Sequence, residues 1–197
     1  PRNRNSSGEP VPSGWSVRWA DDAPRCSPFD WPAEKDLAVR AVRILERHVG
    51  RQLPVGLEIT KRIPVGSGLG GGSSDAAAAM VAVDRAFGLR LPTETLIAVG
   101  AEVGSDVPFF VRCARDGCRQ ARVSGFGERV DPLPWFAGSV GEGRGGVVLV
   151  LPPFGCATVD VYKEFDRAPG QAGRGFEADL AGPHLNQLAE PAMRVEP

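Results

Sequence analysis

Gly66, Gly68, Gly70, Gly71 and Gly72 put five glycines into seven residues, and Ser73, Ser74 and Asp75 follow directly. A chain without side chains can curl so that its amide N–H groups turn inward. The alanine-rich stretch from Ala76 to Met80 predicts a strong helix with Ser and Asp near its start. A helix N-terminus adds unpaired N–H donors and a partial positive charge. Glycine loop and helix start together make a socket for phosphate.

The socket is not the usual loop of nucleotide hydrolases, which closes on Gly-Lys-Ser/Thr, because here the glycines close on Ser73-Ser74. The dinucleotide pattern G-x-G-x-x-G does match at Gly66, Gly68 and Gly71. The residues before it argue the other way. Leu57, Ile59, Lys61 and Ile63 share one face and Glu58, Thr60 and Arg62 the other. That alternation suits a sheet with one wet face, not a parallel strand buried on both sides. A merely flexible turn is the third reading, and it fits poorly between a strand and an alanine-rich helix. The second chemical signal is Asp106 in Gly104-Ser-Asp-Val-Pro-Phe-Phe110. Taken alone, an aspartate before Val-Pro is a turn or capping residue. Set beside a phosphate socket, a carboxylate can accept or orient the proton of an attacking hydroxyl.

The run Pro64-x-Gly-x-Gly-Leu-Gly-Gly-Gly-Ser-Ser-Asp-Ala-Ala resembles the phosphate loop of the GHMP small-molecule kinases. Its triple glycine before Ser-Ser-Asp is similar to the 4-diphosphocytidyl-2-C-methyl-D-erythritol kinases of non-mevalonate isoprenoid biosynthesis. The resemblance implies an α+β fold of two lobes, with ATP and substrate between them and an N-terminal lobe like the second domain of a small-subunit ribosomal protein. It implies an ATP site built from Pro64, Gly66, Gly68, Leu69, Gly70, Gly71, Gly72, Ser73 and Ser74. It adds Asp36 and Leu37 beside the adenine, since Glu34 to Ala41 resembles the family segment Asn-Leu-x-x-Arg-Ala with Asp36 in place of Asn. It places Lys61 near the nucleotide. Gly104 to Phe110 resembles the family's Gly-Ala-Asp-Val-Pro-Phe-Phe, whose aspartate faces the substrate hydroxyl; Ser105 stands in place of Ala, and Asp106 becomes the candidate catalytic residue. Thr158 and Tyr162 match a threonine and an aromatic that line the family's substrate pocket, the aromatic stacking on cytosine. A helix cap and a packing ring are the alternative readings of those two.

The function so implied is transfer of the ATP γ-phosphate to a hydroxyl of a cytidine diphosphate-linked polyol, with Mg²⁺ accompanying the ATP and no metal held by protein ligands alone. Two alternatives stay open. One is another GHMP kinase, acting on a sugar, homoserine or a mevalonate-type alcohol. The other is a non-catalytic module that binds nucleotide or a partner. The family's N-terminal lysine, which accompanies the catalytic aspartate, has no match here, and Lys35 and Lys61 are not substitutes. Little activity is therefore expected of this stretch by itself.

These residues need elements to position them. Trp15 to Ala20 alternates as a strand, and a helix is predicted over Ala33 to Val49, where Leu37, Ala41, Leu45 and Val49 recur every four. Arg40, Arg43 and Arg47 form its solvated face, and His48 suits its last turn. A strand over 55–63 leads into the glycine loop, and the helix after it runs to Phe87 and stops at Gly88. Pro92-Thr93 opens another helix with Thr93 as N-cap. Strands over Cys118 to Val123 and Glu128 to Leu133 flank Gly125-Phe-Gly127, which resembles the family's Gly-x-Gly-Glu turn. A linker over 134–146 precedes Val147 to Leu151, an apolar run suited to a buried strand. A helix follows with Thr158 as N-cap, then a loop over 166–182 with His184 just beyond it; Leu185 to Ala192 resembles the family's Asn-Asp-Leu-Glu-x-x-Ala helix start. The expected organisation is an N-terminal lobe over 1–133, its phosphate loop at 64–75 and residues 1–14 loose, then linker and the start of a second, incomplete lobe over 134–197.

Composition sets outer bounds. The 197 residues carry a net charge of −1, and a pI near 6.2 gives no global pull toward nucleic acid or a membrane surface. No apolar run approaches membrane-spanning length, and the chain opens on Pro1 with neither a secretory signal nor a starting Met. A cytoplasmic protein with a missing start is expected. Cys26, Cys113, Cys118 and Cys156 are too scattered for a zinc site and are expected as free thiols.

Overall fold

The computed structural model describes residues 14–134, 149–150, 155–167 and 188–195. The expectations for 1–13, 135–146, 168–182, His184 and the start of the Leu185 segment lie outside them, while Asp166 and Arg167, expected in a loop, are the last residues of a helix. The chain divides into two compact units, Pro1–Val147 and Val148–Pro197.

In the first unit, strand β1 (Trp15–Trp19) pairs in parallel with β2 (Leu57–Lys61), Trp19 standing opposite Lys61. A parallel pair needs a crossover, and α1 (Leu37–Val49) supplies it. Although the pairing is parallel, β2 keeps the one wet face that its alternation predicts: Glu58 is exposed, while Leu57 and Ile59 pack on the core. The helix expected from Ala33 is broken. Ala33–Lys35 forms a 3-10 turn, and Asp36 leaves helical geometry with ψ at 130°. Its Oδ1 instead accepts the Ala38 amide at 2.9 Å, capping α1. Gly50 closes α1 in the left-handed region at φ 69°.

Helix α2 (Gly71–Ala86) starts inside the glycine run, with Gly70 as its cap residue at φ 69°. It is the centre of the core, packing against α1, α3 (Thr93–Ala101) and α4 (Val107–Asp116). Ala76, Ala77 and Met80 are fully buried, and so are Ala41, Val42 and Leu45 of α1. Small side chains on α2 let the axes approach, and each fully buried Leu or Met contributes roughly 1.5–3 kcal/mol. Gly88, at φ 59°, follows the last turn of α2 as expected. Thr93 is not the cap of α3. The Pro92 carbonyl accepts the Leu96 amide at 3.1 Å, so the helix begins one residue earlier, and the Thr93 hydroxyl donates to Asp116 instead. Antiparallel strands β3 (Ala121–Ser124) and β4 (Arg129–Pro132) form the expected hairpin; β4 lies within its expected bounds, while β3 starts three residues later than expected and ends one later.

The second unit contains α5 (Thr158–Arg167) and α6 (Ala189–Val195), packed on each other. Thr158 lies inside α5. The Ala157 carbonyl accepts from both Asp160 and Val161, which puts Ala157 at the cap position. Of the apolar run over 147–151, Leu149 and Val150 are described; both are exposed and outside any strand, because no described residue pairs with or covers them. Helices and strands are thus mixed in the first unit, and no helix among the described residues is long and apolar enough to cross a membrane.

Candidate active site

The amides at the start of α2 form the socket. The first helical bond runs from the Ser74 amide to the Gly70 carbonyl at 2.8 Å. The amides of Gly71, Gly72 and Ser73 precede that bond and have no carbonyl four residues back within the helix. Ser74 is engaged inside the turn, because its hydroxyl also donates to the Gly71 carbonyl at 2.9 Å. The glycines are needed for close packing as well as for curl. A methyl on Gly71 would stand 2.9 Å from the Ile63 side chain, and one on Gly72 3.1 Å from Leu37. A methyl on Gly70 would stand 2.8 Å from the Phe110 ring. Strand exit, α1 start and α4 thus hold the loop from three sides.

One cleft of about 350 Å³ joins the loop to the second motif, lined by Gly68, Leu69 and Gly70 together with Asp106, Phe109, Phe110 and Val123. Asp106 occupies the cap position of α4 but makes no capping hydrogen bond. Among the described residues its side-chain partner is the Ser105 hydroxyl, which donates to it at 3.5 Å. An aspartate kept only to cap the helix would spend its oxygens on the backbone amides of the first turn. This one leaves them toward the cleft that the glycine loop enters.

On the other side of the loop, a cleft of about 140 Å³ is lined by Thr60, Lys61, Arg62, Ile63, Gly71 and Asp75. The Lys61 ammonium lies 2.5 Å from Asp75, with the lysine only 7% exposed. Burial pushes the Asp75 carboxyl above its ordinary value, outweighing the hydrogen bond and charge of Lys61. Asp36 adds a further push in the same direction. The Asp36 carboxylate is itself buried, held by the Ala38 amide and by the Trp31 indole at 3.3 Å.

The structure therefore brings Leu37, Lys61, Gly68 to Ser74 and Asp106 around one loop, with Asp36 one residue before Leu37. Pro64 and Gly66 sit on the approach to the loop, and Gly66 takes φ 71° with open space around it. Thr158 and Tyr162 lie in the second unit, where Tyr162 is half exposed on α5. Sequence reading missed Asp75, Phe110 and Val123. Asp75 and Lys61 are fourteen positions apart and carry no shared local pattern. A wider basin of about 560 Å³ at the far end of α1, between Arg40, Arg43, Arg47 and Arg51, contains no motif residue. Among the described residues no group of three or more His, Cys, Asp or Glu could hold a metal ion. The four cysteines are free.

The socket fits a phosphate chain: its donors are backbone amides at a helix N-terminus, and its glycines leave the backbone uncovered. Residues 36–113 match the model of the GHMP kinases N terminal domain. The chain is 38% identical over 140 residues to the 4-diphosphocytidyl-2-C-methyl-D-erythritol kinase of Chromobacterium violaceum, covering 69% of this chain and 44% of that protein. It is 34% identical over 170 residues to the enzyme of the same name from Methylococcus capsulatus, covering 84% and 53%. A crystal structure of 4-(cytidine 5'-diphospho)-2C-methyl-D-erythritol kinase superposes on the whole of this chain and 73% of its own, at a TM-score of 0.53 and 27% identity. The chain spans about half the length of the curated relatives it matches.

Proposed function

We propose, from the match of residues 36–113 to the GHMP kinases N terminal domain, that the protein transfers the γ-phosphoryl group of ATP to a hydroxyl of 4-diphosphocytidyl-2-C-methyl-D-erythritol. The observation that carries the reading is the shared cleft, in which Asp106, free of any capping bond, faces the loop that would hold the nucleotide phosphates.

ATP, with Mg²⁺, supplies the transferable phosphoryl group and part of the neutralising charge. The chain's own residues do the rest. The amides of Gly71, Gly72 and Ser73 and the positive end of α2 hold the phosphates. The Asp106 carboxylate takes or orients the hydroxyl proton as the alcohol oxygen bonds to phosphorus and the bond to the β-phosphate oxygen breaks. Leu37, Lys61 and Asp36 serve the nucleotide side. Thr158 and the Tyr162 ring serve the substrate, the ring through stacking on a base at roughly 1–3 kcal/mol. The reaction belongs to isoprenoid biosynthesis, in the cytoplasm, with a small-molecule substrate and neither nucleic acid nor membrane as partner.

The full-length natural protein, given ATP and a panel of alcohols, tests this. Phosphorylation of the cytidine diphosphate-linked methylerythritol in preference to galactose, homoserine and mevalonate is expected. Preference for one of the others would move the protein elsewhere among the GHMP kinases.

A further inference from the structure

The turn of the β3–β4 hairpin rests on the peptide that carries Asp106. Gly127 takes φ 105°, and a methyl on its α-carbon would overlap the Ser105 carbonyl oxygen and lie 2.6 Å from its carbon. No other residue type fits both the angle and the contact. The turn is itself held closed. The Gly127 amide donates to the Ser124 carbonyl at 3.3 Å, and the Phe126 amide to the Glu128 carboxylate at 2.6 Å. On the same hairpin, Val123 faces the cleft that contains Asp106. The carboxylate has no bond to its own helix, so its direction is set by Ser105, whose peptide lies beneath it and whose hydroxyl donates to it at 3.5 Å.

We propose that the β3–β4 turn, through Gly127, is a positioning element for Asp106: it seats against Ser105 and fixes where the carboxylate stands in the cleft. The inference rests on the phosphotransfer reading above. A substitution at Gly127 must shift the hairpin or the Ser105 peptide. Either displacement moves the carboxylate relative to the alcohol, and a shift of about 1 Å lowers turnover by up to roughly a hundredfold. The nearest atoms that a side chain at Gly127 would meet all belong to Ser105 and none to the glycine loop, so nucleotide binding is expected to be spared.

The test measures kcat, ATP affinity and melting temperature of the full-length natural protein. Gly127→Ala is expected to lower kcat by roughly tenfold to a hundredfold with ATP affinity within about twofold. Phe126→Ala, at the exposed tip, is expected to leave kcat unchanged. Placed on Asp106→Asn, Gly127→Ala should lower kcat by no more than about twofold further, because both changes act through one carboxylate. Should Gly127→Ala fail to fold, Glu128→Ala opens the turn without a clash and should lower kcat severalfold with the same lack of additivity. A folded Gly127→Ala variant with unchanged kcat, or a loss that multiplies fully with that of Asp106→Asn, overturns the inference while the wild type still phosphorylates its alcohol. A wild type that phosphorylates none of the alcohols removes the kinase reading and the inference with it.

Discussion

The Lys61 ammonium lies 2.5 Å from the Asp75 carboxylate, and this pair ties the end of β2 to the second turn of α2 directly beside the glycine loop. Lys61 ends a row whose other members, Leu57 and Ile59, pack on the core, so its ammonium is almost fully buried. Asp75 is what that buried charge meets. Together with the contact of Gly71 on Ile63, the pair fixes the angle at which the socket faces the strand.

Asp75 makes the pair sensitive to pH, and the sign follows from burial. Its carboxyl is raised in the folded state above the ordinary value of 3.8. The folded protein therefore binds this proton more tightly than the unfolded chain. The associated stability is fully present below the unfolded value and lost as pH rises through the folded one. Asn cannot ionise. Between about pH 3 and pH 7, wild-type melting temperature is expected to fall relative to that of Asp75→Asn. A wild type that gains on the variant as pH rises would show that the attraction to Lys61 exceeds the burial penalty.

Gly70 is the glycine of the loop most tightly constrained. A side chain there meets both the left-handed backbone and the Phe110 ring, whereas Gly66 and Gly68 share the backbone angle but face open space. Gly70→Ala is expected to weaken ATP binding by about tenfold or more, and Gly66→Ala by less, since only about 1–2 kcal/mol of backbone strain acts on the latter. Isothermal titration with ATP separates them. Equal affinities for Gly70→Ala and wild type would remove the loop from the nucleotide site.

Behind the site, Arg115 bonds at 2.8 Å to Asp84, which is 2% exposed. The other Asp84 oxygen accepts the Leu91 amide, and Arg115 also donates to the Leu91 carbonyl at 2.9 Å. Arg115→Ala strands a buried carboxylate. A loss of about 3 kcal/mol is expected in urea unfolding, toward the lower end for buried pairs because Arg115 keeps some contact with water. A loss below about 1 kcal/mol would mean that the Asp84 charge is not held by this pair.

The parts of this fold that follow from local pattern were legible. The four-residue apolar repeat gave α1, the glycine run before Ala76 gave α2, and Gly125 and Gly127 gave the hairpin turn. Cap positions were misjudged where a carbonyl, not a hydroxyl, makes the first bond: Pro92 displaces Thr93, and Ala157 displaces Thr158. Periodicity places Asp36 within a helix because it does not register a single residue that leaves helical geometry to cap the next turn. The pairs Lys61–Asp75, Asp84–Arg115 and Gly70–Phe110 were not legible at all. Each joins residues fourteen or more positions apart, and only packing brings them together.

Asp106 carries the chemical reading, and its geometry separates that reading from the structural one. As the residue before α4 it stands where an aspartate normally caps, yet its carboxylate makes no bond to the amides of the first turn. Asp36 shows what capping looks like in the same chain, with its carboxylate buried and bonded to Ala38. Replacing Asp106 with Asn keeps shape and polarity and removes basicity. If the carboxylate takes the proton of the attacking alcohol, kcat should fall by roughly 10²–10⁴ in the full-length protein with ATP affinity little changed. Melting temperature should stay the same, because no stabilising hydrogen bond is lost. Single-turnover phosphorylation and thermal unfolding on the two proteins make the comparison. Turnover within a few-fold of wild type would exclude Asp106 from proton transfer. A fall in turnover matched by a fall in stability would mean that the side chain supports the helix after all.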